Sequence, residues 1–297
     1  MTWLSDFRQH LIDQDRGENT VKAYCRDLEL YARWFEQANN QAFQPSMLNA
    51  PDLREYRRHL LEEEQVMATT WNRHRASLKV FAIWAALNGH LQGDPLSGVN
   101  PAFIEDPLPK ALSAEEFRRL RRQLDIMVNG ARTDVWGKQA IRDRAALALM
   151  LYCGLRSGEV VKLNISDLLL RDKSGEVRIR QGKGRKDATV KVNNEARSAL
   201  REWIAVHPGT DSLFPGKSTE RISQRQIERR VKAIGQLAGL DDMWPHRARH
   251  WMITRGLNEL QIPLPVMQKI ARHKRGETTM RYAIATDEQV ALAVERL

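Results

Sequence analysis

The stretch Ser166–Val192, SDLLLRDKSGEVRIRQGKGRKDATVKV, changes the rhythm of the chain. Short runs at Asp167–Leu170, Val177–Arg180 and Thr189–Val192 read as β-strands. They are separated by polar, glycine-bearing turns at Asp172–Gly175 and Gly182–Lys186. Together they predict a short antiparallel sheet. On both sides the apolar residues return to helical spacing. Upstream, Ser113-Ala114-Glu115-Glu116 is a helix-start signal, and an apolar helix is expected over Ile141–Tyr152. Downstream, helical patterns resume at Asn194 and again through Ile222, Ile227, Val231, Ile234 and Leu237. The polar side of that last helix carries Arg225, Arg229 and Lys232, which fits a nucleic-acid groove. Residues 110–297 thus read as a mixed α+β domain, mainly helical, with one small antiparallel sheet.

Before it lies a different text. Trp3, Phe7 and Leu11, then Val21, Tyr24, Leu28, Tyr31 and Trp34, and later Trp71, Leu78, Phe81 and Trp84 recur at three- and four-residue steps. Polar breaks at Asp15–Asn19 and Asn39–Gln44, with Pro51 and Asp52, mark the joints. Residues 1–99 are expected to form an all-α bundle. Prolines at 95, 101, 107 and 109 make residues 100–109 a linker.

A chain of 297 residues is long enough for two domains, each with its own core. A net charge of +10, spread through apolar sequence, describes a folded protein with a basic surface and favours a polyanionic partner. No apolar run approaches the ~20 residues of a membrane span, and residues 1–14 lack the core of a signal peptide, so a cytoplasmic location is expected. Cys25 and Cys153 sit in apolar periodic segments with no metal-ligand spacing and read as core residues.

Four motifs carry possible chemistry. Leu151-Tyr152-Cys153-Gly154-Leu155-Arg156-Ser157-Gly158-Glu159 places an arginine just past a glycine-bearing helix end; it either projects from the turn or pairs on the surface with Glu159. Gly182-Lys183-Gly184-Arg185-Lys186 puts lysines at a hairpin tip. It leads into a strand rather than a helix, unlike a nucleotide-phosphate loop. In Pro245-His246-Arg247-Ala248-Arg249-His250 the proline fits a first helical position, and His246 and Arg249 share a face that can grip a phosphate. His246 and His250 form the alternative, a zinc pair, but the carboxylate expected between them is absent. Last, Ile270-Ala271-Arg272-His273 closes a helix shortly before Thr278-Thr279-Met280-Arg281-Tyr282, whose tyrosine is a packed aromatic or a nucleophile.

The order Arg, Lys, His-x-x-Arg, His, Tyr resembles the tyrosine recombinases of the phage-integrase family, with a layout closest to the Xer type. Residues 20–28 and 70–78 (TVKAYCRDL and TWNRHRASL) resemble the family's core-DNA-binding helices, so the first domain is expected to be SAM-like. The resemblance implies a catalytic set of Arg156, Lys183, His246, Arg249, His273 and Tyr282, with Tyr282 as nucleophile and Glu159 and His250 in support. The family's usual glycine before the second histidine is replaced by Arg272. DNA contacts are expected from Lys22, Arg26, Arg73, Arg75, Lys79, Lys186, Arg225, Arg229 and Arg272.

The implied function is site-specific recombination of double-stranded DNA through a 3′-phosphotyrosyl intermediate, with no metal, ATP or other cofactor. Residue types fit that chemistry: arginines fork onto non-bridging oxygens, histidines donate or accept protons, and a phenol of pKa about 10 needs neighbouring cations or a base to react. The resemblance also implies a homotetramer on two DNA sites, with residues 286–297 as a docking tail exchanged between protomers; docking on its own domain is the alternative. Competing readings are a type IB topoisomerase or hairpin-forming resolvase with the same chemistry, a silent DNA-binding regulator, and a metal-dependent nuclease, for which clustered carboxylates are missing.

Overall fold

Apolar residues four apart give α1 (Thr2–Asp13) one buried edge, Trp3, Phe7 and Leu11. That edge meets Val21, Cys25, Leu28, Tyr31 and Phe35 of α2 (Glu18–Asn39) and Trp71, Leu78, Phe81 and Ala85 of α4 (Ala68–Leu87). Between them α3 (Ala50–Arg58) starts at an Asn49 side chain that accepts from the Asp52 amide, and it runs into a π-helical turn at His59–Glu63. Rings fill the centre edge to face: Tyr31 lies 5.1 Å from both Phe43 and Tyr56, at 82° and 73°. The computed structural model describes residues 2–104, 110–180, 187–216, 221–273, 275–283 and 294–295. It divides into two units, Met1–Asp106 and Pro107–Leu297. No helix among the described residues is long and apolar enough to cross a membrane.

One charge is sunk in the first unit. Asp27, fully buried, accepts from Arg73 Nη1 at 2.5 Å and Ser77 Oγ at 2.7 Å, with His74 Nε2 at 3.3 Å. A buried carboxylate is tolerable only when so partnered, and here it clasps α2 to α4. Beyond α4 the chain stays on the same helix. Arg75 donates to the Val99 carbonyl at 2.6 Å, and the Asn72 amide pairs with both backbone groups of Ala102 at 2.7 and 2.9 Å. The first residues of the segment read as linker are therefore pinned to α4.

In the second unit the Ser113–Glu116 capping box opens α5 (Ala114–Asn129). The Thr133 hydroxyl accepts from the Trp136 amide at the start of α6 (Asp134–Cys153), seven residues earlier than the apolar pattern indicated. From Ala145 to Leu151 every residue of α6 is buried, so this helix runs through the core instead of over it. After the short α7 (Ser157–Val160) come β1 (Leu168–Leu170), β2 (Gly175–Ile179) and β3 (Ala188–Lys191), an antiparallel sheet in that order. It pairs Leu168 with Val177 and Val177 with Val190. The remaining helices are α8 (Asn194–Ala205), α9 (Gln224–Leu237), α10 (Pro245–Thr254), α11 (Leu264–Ala271) and α12 (Glu277–Met280). Leu237, expected in the core stripe of α9, is exposed: the stripe ends at Ile234, and Leu237 occupies the final residue of the helix.

Candidate active site

Three helix ends build the site. The first is the C-terminus of α6, where Gly154 adopts φ 63°, ψ 29°. A left-handed turn there suits glycine, and a Cβ would also stand 2.4 Å from Met252 Cε. Two residues on, Arg156 caps α7. Its backbone N–H donates to Glu159 Oε2 at 2.8 Å and its Nη1 to Glu159 Oε1 at 3.2 Å, so the paired reading and the projecting one hold together: the side chain is 44% exposed while tethered.

The second end is the start of α10, where Pro245 stands in the first turn. Arg247 turns away from the site, donating twice to Glu116 at 2.8 Å and pairing with Asp242, which fixes α10 against the first turn of α5. Arg249 faces the other way and is buried. Its Nη1 donates to the Gly154 carbonyl and its Nη2 to the Ala271 carbonyl, so one guanidinium joins the C-terminal ends of α6 and α11. Cations are favoured there by the exposed carbonyl dipoles.

The third is the end of α11, where Arg272 takes φ 56°, ψ 41°. His273 follows, its Nδ1 2.8 Å from the Thr279 hydroxyl, and Tyr282 stands two residues past the end of α12, its carbonyl accepting from the Asn258 amide at 3.0 Å. The buried Tyr282 ring lies between two imidazoles, edge-on to His250 at 5.2 Å and stacked with His273 at 6.3 Å; His246 is 6.2 Å from His250.

Arg156, His246, Arg249, His250, His273 and Tyr282 thus converge. Burial, then the charge of Arg156 and Arg272, pushes Arg249 down to about 10. His273 is driven to about 4 by burial and then by Arg249, Arg156, His250 and Arg272; His250 falls to about 4 by burial, His246 and Arg249. His246 is lowered by burial, Arg249 and Arg156. Burial raises Tyr282, and Arg249 and Arg281 only partly offset it. Every shift disfavours charge. The buried Nδ1 of His250 has no hydrogen-bond partner. Among the described residues no group of three or more His, Cys, Asp and Glu could hold a metal ion.

Lys183 and Lys186 lie outside the described residues, as does the tail 286–297 apart from residues 294 and 295. Of the expected DNA contacts, Arg225, Arg229, Lys22, Arg26 and Lys79 are exposed, Lys22 paired with Glu18 at 2.6 Å. Arg73 is exposed as well, but it and two others are engaged within the fold. Arg73 serves Asp27 and Arg75 serves the Val99 carbonyl, because each stands beside a buried acceptor that needs a donor. Arg272 is the clearest correction: only 14% of its side chain is exposed, and it turns inward onto Glu159. Thr279, fully buried, was not singled out in the sequence; a hydroxyl six residues past the histidine gives no helical or strand signal.

Comparison with known proteins bears on this arrangement. Residues 112–289 match the phage integrase family, and residues 4–89 match the phage integrase N-terminal SAM-like domain. Tyrosine recombinase XerC of Corynebacterium glutamicum is 29% identical over 99% of this chain and 91% of its own length. The XerC of Pseudomonas savastanoi pv. phaseolicola is 30% identical over 94% and 90%. Among solved structures, XerH site-specific recombinase bound to difH substrate has the same fold at 20% identity, with a TM-score of 0.72 over 98% of this chain and 83% of that one. The Tn1549 transposon integrase with circular intermediate DNA does so at 18% identity and a TM-score of 0.73, covering 99% of both.

Proposed function

The chain belongs to the phage integrase family and is a tyrosine recombinase acting on specific DNA sites; from that premise we propose that Tyr282 is its nucleophile and that Arg156, Lys183, His246, Arg249 and His273 complete the catalytic set. The observation that supports the assignment most is the gathering of a buried tyrosine, two flanking imidazoles and two tethered guanidiniums at three helix ends.

The phosphodiester resists attack because its oxygens are anionic and its alkoxide leaves poorly. Arg156 and Arg249 bind the non-bridging oxygens. A guanidinium has five N–H donors, and Arg249 gives two of them to backbone carbonyls, which leaves three for the phosphate. His246 or His273 takes the phenol proton as the Tyr282 oxygen bonds to phosphorus. The bond to the 5′ oxygen breaks, and that oxygen takes a proton from Lys183. The 3′ phosphate is left as a tyrosyl ester. Attack by a 5′ hydroxyl from a second duplex, which gives its proton to Lys183, forms the new phosphodiester and completes the exchange, while the leaving Tyr282 oxygen takes back the proton held by the imidazole, so no ATP is consumed. The unit of action is a homotetramer on two double-stranded sites in the cytoplasm, with residues 286–297 docking on the neighbouring protomer. Residues 1–99 and 110–297 serve as the core-binding and catalytic domains, joined by 100–109.

The test uses a nicked duplex that traps the cleaved state. Wild-type protein forms a covalent DNA adduct and Tyr282→Phe forms none; an adduct of undiminished yield in Tyr282→Phe assigns the nucleophile elsewhere.

A further inference from the structure

Left-handed backbone at the end of a helix is the natural place for glycine, yet position 272 is an arginine at φ 56°. A strained residue persists only where its surroundings over-determine it. They do so here. Nη1 of Arg272 donates to Glu159 Oε1 at 3.0 Å and Nη2 to Oε2 at 2.8 Å, with Nη2 also 3.4 Å from the Gly154 carbonyl. Both partners are largely buried, 14% and 18% exposed. The Nε beside them is buried without a partner, so the fork is held on Glu159 at the expense of its own third nitrogen.

Glu159 has a second client. The same two oxygens accept from the Arg156 side chain and backbone. The carboxylate is therefore a bridge between two arginines, one facing the site and one behind it. Taken alone, Arg156 and Glu159 sum to zero charge, and an incoming phosphate would meet a guanidinium already neutralised. With Arg272 the trio carries +1. Burial would raise the Glu159 carboxyl, but the bonds and charge of Arg272, followed by Arg156, outweigh it and keep the carboxyl below its ordinary range.

We propose that Arg272 is a positioning residue for strand cleavage: it grips Glu159 so that Glu159 can hold Arg156 in place without cancelling its charge towards the phosphate. This rests on Arg156 being a phosphate-binding residue.

The experiment compares single-turnover cleavage of nicked DNA, DNA affinity and thermal unfolding for wild type, Arg272→Gly, Arg272→Lys, Glu159→Gln and the double variant Arg272→Gly with Glu159→Gln. Arg272→Gly removes the backbone strain and the ion pair together. Its cleavage rate should fall about tenfold or more, the scale on which loss of an orienting partner is felt. Its melting temperature should not fall in proportion. Arg272→Lys keeps the charge but not the fork and should lie between. The discriminating result is the double variant: with the Glu159 charge gone, Arg156 is no longer neutralised, so the double should cleave faster than Arg272→Gly alone. Overturning results are cleavage by Arg272→Gly equal to wild type, a fall in cleavage explained by an equal loss of folded protein, or a double variant no faster than the single. Tyr282→Phe is run alongside. If it still forms the adduct, the underlying site assignment fails; if it does not while Arg272→Gly is unimpaired, only the role of Arg272 fails.

Discussion

Replacing Arg249 with lysine separates two functions that one side chain performs. The guanidinium is buried and donates to the carbonyls of Gly154 and Ala271, which terminate α6 and α11. A lysine ammonium is a single point and cannot span both. A lysine that stays on Gly154, where Arg272 Nη2 also lies at 3.4 Å, leaves the Ala271 carbonyl unsatisfied, at about 1–3 kcal/mol. For a unit of this size that lowers the melting temperature by roughly 2–4 °C per kcal/mol. The same surroundings bring Arg249 from its ordinary value down to about 10, by burial first and then by Arg156 and Arg272. A lysine begins lower, near about 10.4, so the same burial and neighbours bring it close to neutrality. Losing one preorganised donor to a developing oxyanion costs about 10²–10³ in rate. The assay is single-turnover cleavage of a nicked duplex from pH 6 to 9, with urea unfolding of the same preparations. Arg249→Lys should be less stable, slower by about that factor, and slower still on the alkaline side as its ammonium deprotonates. A variant that unfolds within about half a kcal/mol of wild type and cleaves within about tenfold of it, with an unchanged pH profile, refutes both the bridging role and the phosphate-binding role.

Two further outcomes are expected. His250 and His273 titrate near 4 in the folded protein, with His74 and His246 also lowered, all by burial first; the unfolded chain therefore binds more protons between about 6.5 and 4, and stability present at pH 7 is lost as pH falls through that window. Glu116 and Glu159, whose pKa values are lowered, lose their contribution only below the ordinary carboxylate range, so the slope of urea-unfolding free energy between pH 6.5 and 5 reports the histidines; a slope unchanged in His273→Gln with His250→Gln contradicts the reading. Thr279→Val preserves shape while removing the hydroxyl 2.8 Å from His273 Nδ1, and should cost about 1 kcal/mol and slow cleavage several-fold with DNA affinity unchanged; equal cleavage by the variant would show that the imidazole needs no such partner.

The sequence carried the sheet because strands of three to five residues with glycine turns cannot be confused with four-residue spacing, and the pairs Leu168–Val177 and Val177–Val190 fall inside the expected runs. It carried helix starts where a side chain signals them, as at Ser113. The beginning of α6 was missed although Thr133 caps it, because Val135 and Trp136 of its first turn are exposed and Gly137, Lys138, Gln139 and Arg142 follow, so no apolar stripe leads into the buried run. Charge was a poor guide to direction. Arg75 and Arg272 read as surface cations but turn onto acceptors 24 and 113 residues away in the chain, and Arg73, though exposed as read, gives Nη1 to an acceptor 46 residues away, a separation no local pattern encodes. Arg225 and Arg229 do face outward, because the apolar stripe of α9 fixes which side is buried.

Apart from Glu159, whose carboxyl its arginine partners hold charged, the shifted groups at the site move in one sense, and on the proposed assignment that has a consequence for when the enzyme can act. Burial lowers Arg249, His246, His250 and His273 and raises Tyr282, so each group is biased towards its neutral form. The cations are held by helix-terminal carbonyls and by Glu159, and they repel one another. An arriving phosphate reverses the balance, because an anion favours the charged forms of arginine and histidine. Tyr282 moves the other way: a nearby anion opposes its ionisation, so on the proposed assignment its proton leaves as the bond to phosphorus forms, to an imidazole whose basicity the same phosphate has just raised. Substrate binding therefore supplies the charge that makes the base competent. On the proposed assignment the two candidate bases of the free protein, His246 lowered and His273 near 4, are biased away from carrying a proton while burial raises the phenol, so activation of Tyr282 awaits the phosphate.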